Sequence, residues 1–395
     1  MIIIMKNKAT NATSMKLSNR RLILNTVRKK PVSRAELARI TGLTRASVTL
    51  IVDELTKDGI LIEIGTEKAD FGRKPVLLDL NAKCYYAVGV SITRDCCYIA
   101  IMDIKGVILQ KGEVILNASS DAYENIKTII KDIKKIVEDS LLPYERFLGV
   151  GISTPGPVDI NAGTILNPPN FDLWHNVSIV HEFKREIQLN IYLENNSTAL
   201  ALAEKNYGRV SEFQSFMLIV VDTGIGAGII IDENIYRGVG GFGSEVGHTS
   251  IDINGKACSC GNRGCLESFA SIPSVLKNIQ RYDNNITTWK EIVDRALMGN
   301  EDCKKAIESE ALYLSAGIVN AMNILELEAV ILAGDIKYKP DMILNLIRMK
   351  VESSTITRDI HRLHIMNSTI TEDSEVKSAA AIVFERFFKG EVGSC

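Results

Sequence analysis

Three cysteines stand close together in the segment CSCGNRGCLE, residues 258–267, of a chain that has only eight cysteines in 395 residues. A histidine lies ten residues before the first of them. Together these side chains form a Cys₃His set of the kind that a tetrahedral structural zinc accepts: His248, Cys258, Cys260 and Cys265. The alternative is three free thiols, but free cysteines tend to be buried among apolar residues, and these stand among Ser, Gly, Asn and Arg. The spacing therefore predicts one structural zinc per chain.

Composition and charge limit the possible surroundings of this site. No apolar run approaches the roughly 20 residues of a membrane helix, which predicts a cytoplasmic protein without a membrane partner. Residues 1–75 hold 15 Lys and Arg against 7 Asp and Glu, a charge of +8, and the remainder holds 31 against 41, a charge of −10. A basic head on an acidic body indicates that the head contacts a polyanion.

The pattern of residues 17–80 predicts a winged helix-turn-helix domain, preceded by a flexible extension over residues 1–16. Ser33 and Glu36 favour a capping box at the start of one helix, Gly42 permits a sharp turn, and Thr44 can cap the next helix. Strand-like segments around a basic turn follow, as in a wing. The predicted DNA contacts are Arg34, Thr44, Arg45, Ser47 and Thr49 of the helices, with Arg73 and Lys74 at the wing tip. The alternative is a helical protein-interaction module.

Strands alternate with helices from residue 84 onward, which predicts an α/β body. The plan begins again at FMLIVVDTGIGAGIIID, residues 216–232. This repetition predicts two lobes, the first over residues 84–205 plus 375–390 and the second, with the zinc motif, over 206–374. Glycine loops follow several predicted strands, where α/β folds bind ligands, although tight turns also need glycine for steric reasons.

The spacing His-x₉-Cys-x-Cys-Gly-x-x-Gly-Cys-x-Glu resembles the signature of the ROK family of bacterial sugar kinases and sugar-responsive repressors. The winged helix ahead of it resembles the repressor branch of that family, especially its xylose-repressor-like members. The resemblance implies a two-lobed, actin-like (ribonuclease H-like, duplicated) sugar-kinase fold, of class α/β, with an N-terminal winged helix-turn-helix domain. This agrees with the repeated plan of strands and helices.

The same resemblance implies a sugar site. The matching positions are Asn170 in NPPNFDLW, Asn195 and Asn196 in LENNSTALALAE, Glu245 and His248 in GSEVGH, and Glu267 after the last cysteine. Trp174 would form a wall of this site. A polyol needs several hydrogen-bonding groups, and amides and carboxylates supply them. The zinc, with all four positions filled by protein, would fix His248 and Glu267 against the sugar, or alternatively only staple its own loop.

The residues that a kinase needs are altered. The family's catalytic aspartate corresponds to Asn196, which cannot accept a proton from a sugar hydroxyl. The first phosphate loop has Thr93 and Arg94 where the kinases have glycines, and the last has become Ala333-Gly334-Asp335. Only the second loop, Thr223-Gly224-Ile225-Gly226, looks intact, and Asp222 before it would repel phosphate. We therefore expect no enzyme activity and no catalytic residues.

The sequence thus predicts a sugar-responsive transcriptional repressor. Its expected partners are a palindromic operator DNA and a monosaccharide effector such as xylose or glucose, and it would form a homodimer or homotetramer. Two alternatives remain at this point. One is a sugar kinase with residual activity, and the other is a regulator that responds to a sugar phosphate or to a protein partner.

Overall fold

The computed structural model describes residues 12–66, 75–117, 120–169, 171–356, 360 and 363–393. The predicted contacts Arg73, Lys74 and Asn170 lie outside these residues. The helices are α1 (Ala12–Val27), α2 (Arg34–Thr41), α3 (Arg45–Lys57), α4 (Ala122–Asp139), α5 (Ile179–Glu186), α6 (Asn196–Tyr207), α7 (Glu267–Ala270), α8 (Ile272–Ile279), α9 (Trp289–Leu297), α10 (Glu301–Leu325), α11 (Asp341–Ser354) and α12 (Ser374–Phe388). The strands are β1 (Val32–Ser33), β2 (Leu61–Thr66), β3 (Val76–Leu80), β4 (Tyr86–Ile92), β5 (Cys96–Asp103), β6 (Ile108–Ile115), β7 (Phe147–Thr154), β8 (Val158–Asp159), β9 (Thr164–Ile165), β10 (Ile191–Asn195), β11 (Phe216–Val221), β12 (Ile225–Ile231), β13 (Asn234–Ile235), β14 (Ala329–Gly334) and β15 (His364–Asn367). Among the described helices, none combines the length and apolarity that a membrane span requires.

The N-terminal head, α1 to α3 with the sheet β1-β3-β2, is the winged helix-turn-helix that the sequence predicts. The Ser33 hydroxyl accepts a hydrogen bond from the backbone N–H of Glu36 at 3.3 Å, and α2 ends at Gly42 with φ +70°. The Thr44 hydroxyl caps α3 in the same way, through the N–H of Ser47 at 3.2 Å. The predicted capping box is only half formed, because the Glu36 carboxylate pairs with Arg39 instead. Helix α1 begins at Ala12, earlier than the boundary at 17 that the sequence suggested.

The body repeats one strand pattern twice. The first sheet has the order β10-β7-β4-β5-β6, and the second has the order β13-β12-β11-β14-β15. In each, the first two pairings along the chain are antiparallel and the other two are parallel. The identical order and polarity confirm the duplicated, two-lobed architecture. Short elements that the sequence pattern did not indicate, α7 to α9 and the edge strand β15, complete the second lobe.

Helices α6 and α12 pack against each other between the two sheets, and we call this pair the interlobe layer. Close backbone contact fixes it on both sides. A Cβ atom added at Gly228 of β12 would lie 2.6 Å from the carbonyl oxygen of Ser197 in α6. One added at Gly151 of β7 would lie 2.0 Å from the carbonyl oxygen of Ala379 in α12. Both helices therefore lie flat on the sheets that they cover.

The head shares a hydrophobic core with the first lobe. Ile23, Leu24 and Val27 of α1 belong to the same buried cluster as Phe384 and Phe388 of α12. Burial of apolar side chains on both sides of a contact stabilises it roughly in proportion to the area removed from water. The head is consequently packed on the body, and its nearest neighbour there is the interlobe layer.

Candidate functional site

The second helix of the helix-turn-helix, α3, presents an open outer face. Its inner face is buried through Val48, Ile51, Val52 and Leu55, as the helical spacing predicts. Thr44, Arg45 and Thr49 are exposed, and Ser47 is half-buried. Sequence reasoning missed Leu50, which is 66% exposed on this helix and offers an apolar contact of the kind that thymine methyl groups accept. The sequence did carry a signal for it, because Leu50 directly follows Thr49 and lies outside the stripe of apolar residues that the helix buries.

Arg34 differs from the other predicted DNA contacts. Its guanidinium donates to the Asp53 carboxylate at 2.7 Å and lies 3.7 Å from the Glu63 carboxylate. These two acidic partners hold the Arg34 side chain within the head in the absence of DNA, and its contact with DNA stays a prediction. The structure thus gives Arg34 a role in joining α2, α3 and the wing strand β2 within the head.

The four predicted metal ligands lie together, although His248 belongs to a different segment from the loop that carries the three cysteines. One ligand atom from each of His248, Cys258, Cys260 and Cys265 lies within 4.8 Å of the others. Cys258 Sγ is 3.6 Å from His248 Nδ1, and Cys260 Sγ is 3.7 Å from Cys265 Sγ. A tetrahedral zinc with Zn–S bonds of about 2.3 Å separates its sulfur ligands by about 3.8 Å. The donor set and its spacing therefore fit a tetrahedral metal ion.

The loop that carries the cysteines is closed by its own backbone. The N–H of Cys258 donates to the carbonyl of Asn262 at 2.8 Å, and the N–H of Gly261 donates back to the carbonyl of Cys258 at 3.0 Å. Gly261 and Gly264 have φ +92° and +68°, as their place in so small a loop predicts. Although burial alone would raise the pKa of the Cys258 thiol, the backbone N–H of Cys260 and neighbouring donors lower that pKa to about 6. The thiolate form, which binds metals, is thus favoured at Cys258, whereas burial and the neighbouring thiols raise the pKa of Cys265 to about 12.

A small cavity lies in the cleft between the lobes, next to the start of α6. Its walls include Glu194, Asn195, Arg237, Phe242 and Glu245. An ion pair between Glu194 of β10 and Arg237 after β13 crosses the cleft. The cavity volume is about 40 Å³, against roughly 300–1,000 Å³ for ligand pockets in general. A sugar can enter only if the cleft widens or if Arg237 and Phe242 move.

The predicted sugar contacts gather around this cavity without all reaching it. Asn195 and Glu245 line it, whereas Asn196, His248 and Glu267 lie outside its described lining. The Asn195 side-chain oxygen is occupied as the cap of α6, accepting from the N–H of Ser197 at 2.9 Å. Partial burial raises the pKa of the Glu245 carboxyl above its ordinary value; His248 opposes this rise and the Glu267 carboxylate adds to it. Glu245, His248 and Glu267 are therefore electrostatic neighbours.

Glu267 also supports the wall of the cleft. Its carboxylate accepts a hydrogen bond from the backbone N–H of Ile225 at 2.8 Å, and Gly226 and Ala227, the next residues along β12, line the cavity.

The expectation that Trp174 forms a wall of the sugar site is wrong. It is 2% exposed, stacks on Phe171 with ring centroids 5.4 Å apart and belongs to the core of the first lobe. Sequence reasoning missed Arg237, whose partner Glu194 directly precedes the predicted pair Asn195-Asn196.

Hydrogen bonds join the two altered loops to the second loop, which keeps its glycines. The Arg94 guanidinium, in the turn between β4 and β5, donates to the Thr223 hydroxyl, in the turn between β11 and β12, at 2.8 Å. The Asp222 carboxylate accepts from the backbone N–H of Asp335 at 2.7 Å. Burial raises the pKa of Asp222 to about 6, although the hydrogen bond from the backbone N–H of Asp335 opposes this rise. These loops are thus bonded to one another by protein groups.

The comparisons with known proteins agree with this geometry. Residues 87–386 match the model described as the ROK family. A xylose repressor from Bacillus spizizenii is 31% identical over 378 residues, with 95% of this chain and 97% of that protein covered. A glucokinase from Thermotoga maritima is 26% identical, with 76% of this chain and 97% of that protein covered. The fold of a ROK family transcriptional regulator, a homologue of E. coli MLC protein, superposes with a TM-score of 0.79 at 24% identity, covering 95% of this chain and 97% of that one.

Proposed function

The chain belongs to the ROK family, and on that premise we propose that it is a sugar-responsive transcriptional repressor. The observation that carries this proposal is the combination of an exposed recognition helix with a body whose interlobe cleft lies among carboxylates and amides. A relative of nearly the same length, 31% identical, is a xylose repressor. The head supplies the DNA contact, and the body supplies a place where a small polar molecule changes the state of the protein.

We propose that Arg45, Ser47, Thr49 and Leu50 of α3 contact base edges in the major groove of a palindromic operator. Short hydroxyl side chains and one arginine on an exposed helix suit that groove. Arg73 and Lys74 remain predicted phosphate contacts at the wing tip. Two copies of the head, supplied by a homodimer or a homotetramer, would bind two half-sites.

We propose that an unphosphorylated monosaccharide such as xylose or glucose binds in the cleft. Asn195, Glu245 and Glu267 would supply hydrogen-bonding groups, together with Arg237, whose buried Nε has no hydrogen-bond partner among the described residues. The cavity is small in this structure, so binding must displace side chains or move the lobes. That requirement connects sugar binding to a change in shape, because a ligand shifts an equilibrium only through its different affinities for two states.

The metal that we propose for the Cys₃His cluster is one structural zinc per chain. All four positions of the tetrahedron would be filled by protein, so the ion would serve to hold the loop and His248 in place. Cys265 lies two residues before Glu267, and the metal would thus also fix the start of α7, from which the Glu267 carboxylate reaches the cleft.

We propose that the chain does not transfer phosphate to sugar. Asn196, at the position of the family's catalytic base, cannot accept a proton at neutral pH. Arg94 and Thr223 belong to the loops that correspond to the phosphate-binding loops of the family's kinases, and here their side chains hydrogen-bond to each other. Asp222 directly precedes Thr223. An assay with ATP and a panel of sugars tests this directly. ATP-dependent phosphorylation of any sugar by the unmodified protein would contradict the proposal.

Thermal-shift screening identifies the effector. Xylose, glucose and their phosphates should be compared on the purified chain, and stabilisation by a neutral sugar at concentrations above its Kd is the expected result. Stabilisation by the phosphates alone would instead indicate a regulator that responds to a phosphorylated sugar. An operator duplex can be selected from random sequence with the same preparation.

A further inference from the structure

A buried cluster of charged side chains joins the head to the body at the end of the interlobe layer. Arg28, directly after α1, has a side chain that is 5% exposed. Its guanidinium donates to the Asn206 side-chain oxygen in α6 at 2.8 Å and lies 4.0 Å from the Glu385 carboxylate in α12. The guanidinium carbon is 4.7 Å from the centre of the Phe388 ring. One head residue thus contacts both helices of the layer. We call this group of residues the joint.

The joint is charged and closed to solvent. Lys205 of α6 donates to Glu385 at 2.9 Å, with side chains 8% and 4% exposed. Burial lowers the pKa of Arg28 and that of Lys205, while Glu385 opposes both changes. Burial alone would raise the pKa of Glu385, but Lys205, Arg28 and Lys389 outweigh it and hold that pKa below its ordinary value. Glu385 therefore stays ionised as the shared partner of the buried cations.

The joint also contains buried polar atoms that form no hydrogen bond with the described residues. Asn206 Nδ2, Tyr207 OH and Glu385 Oε2 are buried and have no hydrogen-bond partner among the described residues. Each such atom costs free energy relative to a paired one. A well-packed junction that served only stability would pair these groups or replace them with apolar ones. Three such atoms therefore lie together where the head meets the interlobe layer.

Helix α6 connects this joint to the cleft. Its first residue follows Asn195, which caps the helix and lines the cavity, and its last residues are Lys205, Asn206 and Tyr207. Twelve residues of α-helix span about 18 Å. Because α6 lies flat on the second sheet while α12 lies flat on the first, a change in the angle between the lobes must move one helix relative to the other. Arg28 contacts both helices, through Asn206 of α6 and Glu385 of α12.

We propose that Arg28 is the residue that positions the DNA-binding head and makes its orientation depend on the interlobe layer. This inference rests on the proposed function, because it concerns how a sugar in the cleft changes operator binding. A sugar that alters the cleft displaces the first turn of α6. The displacement reaches Asn206 along a rigid helix, and Arg28 transfers it to α1.

Two substitutions break the joint from opposite sides. Arg28→Met keeps the length and the apolar contact with Phe388 and leaves Glu385 paired with Lys205. Asn206→Ala removes the bond from α6 while retaining every charge. Glu385→Gln is unsuitable, because it leaves Arg28 and Lys205 as buried cations without a partner. Lys29→Met is the matched control, since Lys29 is the next residue and its contact with the second lobe, an ion pair with Glu233 between β12 and β13, is exposed rather than buried.

The test measures coupling rather than affinity. The Kd for the selected operator duplex is determined with and without saturating xylose, and the Kd for xylose is determined with and without duplex. Linkage requires both ratios to be equal in each protein. In the full-length parent and in Lys29→Met we expect a ratio within the range of about 5–150-fold that is usual for allosteric coupling. In Arg28→Met and Asn206→Ala we expect both ratios to fall to within about twofold of one, with xylose still bound.

The outcomes separate this inference from the proposed function. Parent-like ratios in Arg28→Met or, if that variant fails to fold, in Asn206→Ala would refute the joint and leave the repressor proposal intact. A loss of coupling in Lys29→Met as large as that in Arg28→Met would also refute it. A parent protein that binds neither xylose, glucose nor their phosphates, or whose operator affinity ignores all of them, would remove both proposals.

Discussion

If the Glu267 carboxylate accepts a hydrogen bond from a sugar hydroxyl, as proposed, Glu267→Ala should bind the sugar more weakly. The substitution removes one carboxylate from the cleft and also the acceptor of the Ile225 N–H, now bonded at 2.8 Å. Ile225 is only 4% exposed, so this N–H would be left without a partner in a buried place. A polar group left unpaired in this way costs about 1–3 kcal/mol. That cost is present with and without sugar and lowers the stability of the protein, whereas the sugar hydroxyl that loses the same acceptor is unpaired only in the complex. A cost of the same size for that hydroxyl raises the Kd for xylose by about five- to 150-fold.

Isothermal titration calorimetry with xylose, without DNA, measures this effect. Glu267→Gln should bind more tightly than Glu267→Ala, because its amide oxygen can still accept from Ile225. Glu301→Ala, which removes only an exposed ion pair with Lys304, is the control and should bind like the parent. The operator Kd without xylose should stay unchanged in all three, because no head residue is touched. An unchanged xylose Kd in Glu267→Ala would refute the assignment of this carboxylate to the sugar site.

Three further predictions follow from the cluster, the head and the altered loops. Elemental analysis should find about one zinc per chain, lost in Cys260→Ser and retained in Cys96→Ser, whose thiol lies outside the Cys₃His set; full zinc content in Cys260→Ser would show that the ligands are misassigned. Arg45→Ala should weaken operator binding by about 1–3 kcal/mol and relax the preference at one base pair, whereas parent-like binding would make the head a protein-interaction module. Burial raises the pKa of Asp222 from 3.8 to about 6, so its contribution to stability is fully present below about pH 4 and is lost as the pH rises through about 6. Asp222→Asn should therefore gain thermal stability relative to the parent across that window, and a difference that does not vary with pH would contradict the assigned cause.

Local signals in the sequence predicted the parts of the molecule that depend on neighbouring residues. The caps at Ser33 and Thr44 and the turn at Gly42 are such features, since each involves contacts within a few positions. The Cys₃His cluster was predictable for the same reason, because its ligands span only residues 248–265. The alternation of strands and helices predicted the two lobes, since hydrophobic periodicity extends over whole elements.

Contacts between distant segments carried no such signal. Arg94 meets Thr223 across 129 positions, and Arg28 meets Asn206 across 178. The sequence predicts Arg34 as a DNA contact, but its ion pairs with Asp53 and Glu63, 19 and 29 positions away, were not visible in the local pattern. Trp174 looked like a cleft wall, yet packing against Phe171 places it in the core. Each of these outcomes depends on tertiary packing, which pattern and propensity do not contain.

The measurement that tests the account most directly is the operator affinity of the unmodified chain as xylose or glucose is added. A fluorescence anisotropy titration on the selected duplex provides it, with the same sugars plus ATP assayed in parallel for phosphorylation. The account predicts that one neutral sugar changes the operator Kd by at least about fivefold and that no phosphorylated sugar forms. An operator Kd that stays constant for both sugars, accompanied by ATP-dependent sugar phosphorylation, would contradict it.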